Sequence, residues 1–141
     1  MKKAVLAFML VLFLSSCNEI SSGDKRLKLE YLYKMKMQLT SLMDYSFRLN
    51  NYEKIFKYKK NIEYIKKEVE DTKPLDGWTD GEDFRNRFLD VIKQDQTAID
   101  SVEKAEGELT PETEALVTRV KERQDYLMEE LDKLISKTDR E

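Results

Sequence analysis

Apolar residues recur along this chain with a helical period, and no stretch shows the alternation of a half-buried strand. Leu27, Tyr31, Met35, Leu39 and Leu42 follow at spacings of three and four, and Leu29, Leu32, Met43 and Phe47 widen the stripe. The spacing predicts an amphipathic helix over 25–49 with an apolar arc broad enough to face a bundle core. A second helix over 51–70 would bury Tyr52, Ile55, Phe56, Ile62, Ile65 and Val69. Its solvent side carries Lys54, Lys57, Lys59, Lys60, Lys66 and Lys67. Glu63 lies four residues before Lys67, an order that stabilises a helix by a few tenths of a kcal/mol. A third helix over 82–105 lines up Phe84, Phe88, Val91, Ile92, Ala98, Ile99 and Val102. A fourth over 111–137 lines up Leu116, Val120, Leu127, Leu131 and Leu134, flanked by Val117 and Ile135. Arg123 and Gln124 interrupt that last stripe, which argues against a long coiled coil. Four amphipathic helices on short links predict an all-α fold, an up-down-up-down four-helix bundle over 25–138.

The punctuation between helices agrees. Asn50 with Glu53, and Thr79 with Glu82, have the spacing of capping boxes, in which each side chain satisfies a free backbone amide. Gly107 is placed to end the third helix, and Thr110-Pro111 opens the fourth with a capping hydroxyl and a proline where no amide is needed. The clearest break is 71–80, with Pro74 and Gly77. Within it, Trp78 has two readings: a cap on the core, its ring nitrogen meeting water, or an exposed anchor for a partner. Tyr33, Tyr58 and Tyr64 fall partly off the core stripes among lysines. They are candidate contacts for a glycan, a polyanion or a protein surface, or else rings at the core edge with wet hydroxyls.

Charge divides the chain. Residues 17–73 hold 13 basic and 9 acidic side chains, whereas 74–141 hold 10 and 19. A basic hairpin beside an acidic one accounts for this, and so does a pair of charged faces offered to partners. The net negative charge argues against nucleic acid. Histidine is absent and there is one cysteine. No catalytic triad, zinc site or Glu-x-x-His di-metal site of the usual kind can be built from such a set. Asp76, Asp80, Glu82 and Asp83 crowd a glycine-bearing loop. An EF-hand register on Asp76 nevertheless fails, since Trp78 takes its third position and Arg87 its twelfth. These acids read as helix-start residues. With no phosphate loop, nucleophile elbow or metal pattern, the expectation is a protein that is not an enzyme and takes no cofactor or metal.

The head of the chain is of another kind. Lys2 and Lys3 precede an unbroken apolar run, Ala4 to Leu14, and Leu14-Ser15-Ser16-Cys17 follows. A charged start, an apolar segment and small residues form a secretion signal, and the run is short of the roughly 20 residues that span a bilayer. Leu14-Ser15-Ser16-Cys17 resembles the lipobox of bacterial lipoproteins. The resemblance implies cleavage before Cys17, a diacylglycerol thioether on Cys17 and fatty acylation such as palmitate. Residues 1–16 would then be a signal peptide, 17–24 a lipidated tether, and the rest a water-soluble domain held at a membrane. Two or more acyl chains suffice for stable attachment, at about 0.8 kcal/mol per buried methylene. Asn18 stands where enterobacterial inner-membrane lipoproteins carry aspartate, which favours the outer membrane if the cell is Gram-negative.

The layout is also similar to small helical surface lipoproteins of unknown function from spirochaetes and Bacteroidetes. It rests on the lipobox, two basic helices, Asp80-Gly81-Glu82-Asp83-Phe84 and Thr110-Pro111-Glu112. The likeness implies a cell-envelope binding or structural module, on the surface or in the periplasm, whose partner is an envelope protein, a glycan or a host surface. The rival expectation is a periplasmic carrier that holds a lipid or aromatic molecule inside the bundle, which would need an internal apolar pocket.

Overall fold

A computed structural model describes the backbone of residues 2–46, 52–105 and 110–141, and the side chains of 23–45, 57–105 and 110–141. The fold is an all-α four-helix bundle: α1 (Lys2–Ser46), α2 (Tyr52–Asp71), α3 (Thr79–Lys104) and α4 (Pro111–Asp139). Each helix packs on its neighbours in sequence, and α1 and α4 close the ring. That is the up-down-up-down arrangement expected from short links. Among the described residues no helix is long and apolar enough to cross a membrane.

The core follows the apolar stripes. Leu32, Met35, Leu39 and Leu42 of α1 meet Ile62, Ile65 and Val69 of α2, Phe84, Phe88, Ile92 and Ile99 of α3, and Val120, Leu127 and Leu131 of α4. Burying such a side chain contributes about 1.5–3 kcal/mol, so this shared interior dominates the stability of the bundle.

Several local expectations are corrected. The stretch 17–24, expected as a tether, lies within α1, which runs from Lys2 to Ser46. No proline stands there, and Gly23 costs a helix only about 1 kcal/mol relative to alanine. Leu27, counted with the α1 stripe, is 44% exposed. In α4 the stripe is centred on Val117, and Leu116, Leu134 and Ile135 are only half-buried. Glu63 accepts from Gln96 of α3 instead of pairing with Lys67. The side chains of Tyr52, Ile55 and Phe56, and all of Phe47, Asn50 and Gly107, lie outside the described residues.

The two helix starts differ from each other. Thr110 caps α4 as expected, its hydroxyl accepting from the Thr113 amide at 3.2 Å with Pro111 behind it. Thr79 does not cap α3. Trp78 occupies the cap position in an extended conformation and makes no side-chain cap bond. Its carbonyl takes the amides of Gly81 and Glu82 at 3.1 and 3.2 Å. Packing of the indole fixes this residue, and packing overrides the capping-box spacing.

The charge division is resolved between the hairpins. Lys36 of α1 reaches Asp132 of α4 at 2.7 Å, and Lys28 reaches Glu141 at the same distance. On the opposite seam, Lys59 of α2 bridges Asp100 and Glu103 of α3 at 2.9 and 2.5 Å. A basic hairpin therefore lies against an acidic one. Exposed pairs of this kind each contribute little, and together they favour this pairing of hairpins over alternatives.

Candidate functional site

Two places in the bundle bring polar and aromatic groups together. The first is the end formed by the α2–α3 loop. Gly77 turns the chain in the left-handed region, φ 78°, and the Trp78 amide donates to the Leu75 carbonyl at 3.0 Å. This delivers the Trp78 ring onto the core, where it is 9% exposed and meets Tyr31 edge-on, centroids 5.8 Å apart. The Lys28 ammonium lies 5.6 Å from the Trp78 ring centre, within cation–π range. The Tyr31 hydroxyl donates to the Gly81 carbonyl at 3.3 Å. Burial pushes the Tyr31 hydroxyl up to about 12, against the opposing pull of Arg85, so it remains a donor throughout the physiological range. Arg85 itself satisfies the last carbonyls of α2, donating to Val69 at 3.1 Å and to Glu70. Trp78 is thus a core cap and not an exposed anchor.

The second place is the middle of the bundle, where α2, α3 and α4 meet. Asp95 of α3 is fully buried. Its Oδ2 accepts from Gln124 Nε2 of α4 at 2.7 Å, and its Oδ1 lies 3.6 Å from Arg123 Nη2 without a hydrogen bond. Tyr58 of α2, 2% exposed, faces the same pair; Gln124 is near enough to influence its hydroxyl, but the two do not reach hydrogen-bond geometry. Arg123 Nε is also buried without an acceptor. Burial drives the Asp95 carboxyl up to about 7, while the Gln124 hydrogen bond and the Arg123 charge pull the other way. Burial, reinforced by the Asp95 charge, likewise pushes the Tyr58 hydroxyl well up.

The candidates read from the sequence separate accordingly. Tyr58 is corrected: its ring packs in the interior against Tyr45, centroids 6.4 Å apart, and cannot meet a partner. Of the two readings of Trp78, the core cap agrees with its burial and the exposed anchor does not. Tyr33 and Tyr64 are 56% and 61% exposed, on α1 and α2, and Met37 joins them at 66%. Cys17 falls within α1, but its side chain lies outside the described residues. Of the loop acids, Asp80 pairs with Lys137 at 2.6 Å, and among the described residues no group of three or more potential ligands could hold a metal ion.

An acid that titrates near neutrality has the range of a general acid–base group, yet catalysis also requires a substrate within hydrogen-bond reach. A 440 Å³ groove between α3 and α4 is lined by Arg87, Val91, Arg119, Arg123, Tyr126 and Glu130 among others, and neither Asp95 nor Gln124 lines it. Arg123 closes that approach. The other grooves are equally superficial; the one between α2 and α3 is rimmed by Lys59, Glu63, Lys66, Lys93 and Asp100. No protein-family model, curated protein or solved structure matches the chain.

Proposed function

We propose that this chain is an exported lipoprotein, fixed to the cell envelope through Cys17, whose bundle acts as a non-enzymatic binding or structural module. One observation carries the reading: Lys2-Lys3, the apolar run Ala4 to Leu14 and Leu14-Ser15-Ser16-Cys17 stand in that order, and a core drawn from all four helices follows them in the chain. The sequence Leu14-Ser15-Ser16-Cys17 supplies the cleavage and acylation signal.

On this reading one end of the bundle lies nearer the anchor. As part of α1, the eight steps from Cys17 to Lys25 span about 12 Å at about 1.5 Å per residue, and even fully extended they reach at most about 29 Å. Lys25 is bonded to Asp139 at the end of α4, and the α2–α3 loop lies at the same end beside Tyr31. That end faces the membrane and the other projects away from it. Tyr33, Met37 and Tyr64 remain open on the flank of the basic hairpin, where an envelope protein, a glycan or a host surface can contact them. The grooves between α2 and α3 and between α3 and α4 open to the surface, which favours a binding surface over a carrier with an internal ligand.

The test is acylation in cells. Labelled palmitate is expected in the wild-type protein and absent from Cys17→Ala, which should also leave the membrane fraction. Label retained by Cys17→Ala would overturn the assignment.

A further inference from the structure

We infer that Asp95 and Arg123 form a proton-operated latch across α3 and α4: the ionised carboxylate holds the guanidinium inward, and the neutral acid releases it to the groove between these helices. This inference is independent of how the chain is anchored.

The geometry is that of a half-closed pair. Asp95 is sealed at 0% exposure, whereas the Arg123 side chain is 28% exposed and lines the groove outside. Their separation of 3.6 Å exceeds a hydrogen bond, and both Asp95 Oδ1 and Arg123 Nε are buried without one. A buried ion pair needs excellent geometry and saturated hydrogen bonds to offset desolvation. This pair has neither, so the charged and neutral states lie close in free energy.

The groups facing Asp95 are few. From α4 come Arg123 and the Gln124 amide, and from α2 comes Tyr58, whose hydroxyl stays protonated. Only Arg123 favours ionisation by its charge. The guanidinium has somewhere to go when released, since Glu122, Asp90 and Glu130 line the same groove and Glu130 is already bound by Arg87 at 2.6 Å. Both states of Asp95 also have a hydrogen-bond partner. The carboxylate accepts from Gln124, and that contact involves Oδ2, so it survives a proton on Oδ1.

The sign of the pH dependence follows. An aspartate in the unfolded chain releases its proton near 3.9, while Asp95 keeps its proton in the fold up to about 7. Between these values the folded state binds more protons. Stability from this group therefore falls as pH rises through the window and is lowest above it. Exposed carboxylates in ion pairs give the opposite slope, which makes the behaviour diagnostic.

The experiment is a carbon-13 titration of the full chain in mild detergent, following the Asp95 carboxyl and the Arg123 Nε–H together. A carboxyl midpoint near neutrality is expected, a proton affinity roughly a thousandfold above that of an exposed aspartate. The Arg123 resonance should shift with the same midpoint. Arg123→Gln should move the carboxyl midpoint further up, and Asp95→Asn should abolish the fall in Tm between pH 5 and 8. A midpoint near 4, or an Arg123 signal that ignores the Asp95 titration, would overturn the latch. The wild-type titration decides the matter even if a variant does not fold.

Discussion

The loop end and the middle of the bundle handle buried polar groups in opposite ways. At the loop end, Tyr31 spends its hydroxyl on the Gly81 carbonyl, Arg85 takes two carbonyls of α2, and Trp78 is held between Tyr31 and Lys28. In the middle, Asp95 Oδ1, Tyr58 Oη and Arg123 Nε are all buried and lack hydrogen bonds. The first region is locked. The second holds polar groups whose desolvation is not fully offset, and such a region changes state at small cost. Position within the bundle explains the contrast: the end offers free backbone carbonyls, whereas in the middle the helices have already consumed theirs.

Substitutions break the comparison by degrees. Trp78→Ala should have the largest effect, a loss of about 3–5 kcal/mol in urea unfolding, because it empties the cap over the core. A loss under about 1 kcal/mol would mean the lid is not locked. Gly81→Ala comes next. A Cβ there would stand 2.4 Å from Trp78 Cε3 and 2.9 Å from Pro74 Cβ, so ring and loop must shift. A net loss of about 1–3 kcal/mol is expected, in spite of alanine's better helix propensity. Asp95→Asn should act in the opposite sense, raising stability by about 1–3 kcal/mol at pH 8 and by much less at pH 5. Equal effects at the two pH values would remove the distinction between the regions. Lys36→Ala should be smallest, at most about 1 kcal/mol and diminished by salt, since its pair with Asp132 is half-exposed.

Much of this was legible in the sequence. The spacing of Phe84, Phe88, Ile92 and Ile99, or of Leu32, Met35, Leu39 and Leu42, is a direct image of burial, and it fixes four helices and their order. Of the two readings of the charge division, a basic hairpin beside an acidic one is the one that pairs such as Lys59 with Asp100 match. The polar cluster was half-visible. Gln124 sits between Val120 and Leu127 at helical spacing, and Asp95 sits between Ile92 and Ile99, each a polar residue in a core position. Reading those two gaps as facing one another requires knowing that α3 and α4 pack antiparallel in one register, and a single-chain pattern does not carry register. Tyr58 was misplaced because the α2 stripe was drawn through Ile55 and Phe56. Its ring lies one turn before Ile62, on the core side. Thr79 was misassigned because capping is local, while the Trp78 conformation is dictated by contacts with Tyr31 and Gly81.

What the sequence offers for function is concentrated in four residues, Leu14 to Cys17, and the fold adds a four-helix bundle in the chain that follows. The most direct measurement is therefore the intact mass of the protein purified from its native membrane. The account predicts a chain that starts at Cys17 and carries a diacylglyceryl adduct on that residue. A mass corresponding to Met1 at the amino terminus, or to an unmodified Cys17, would contradict it.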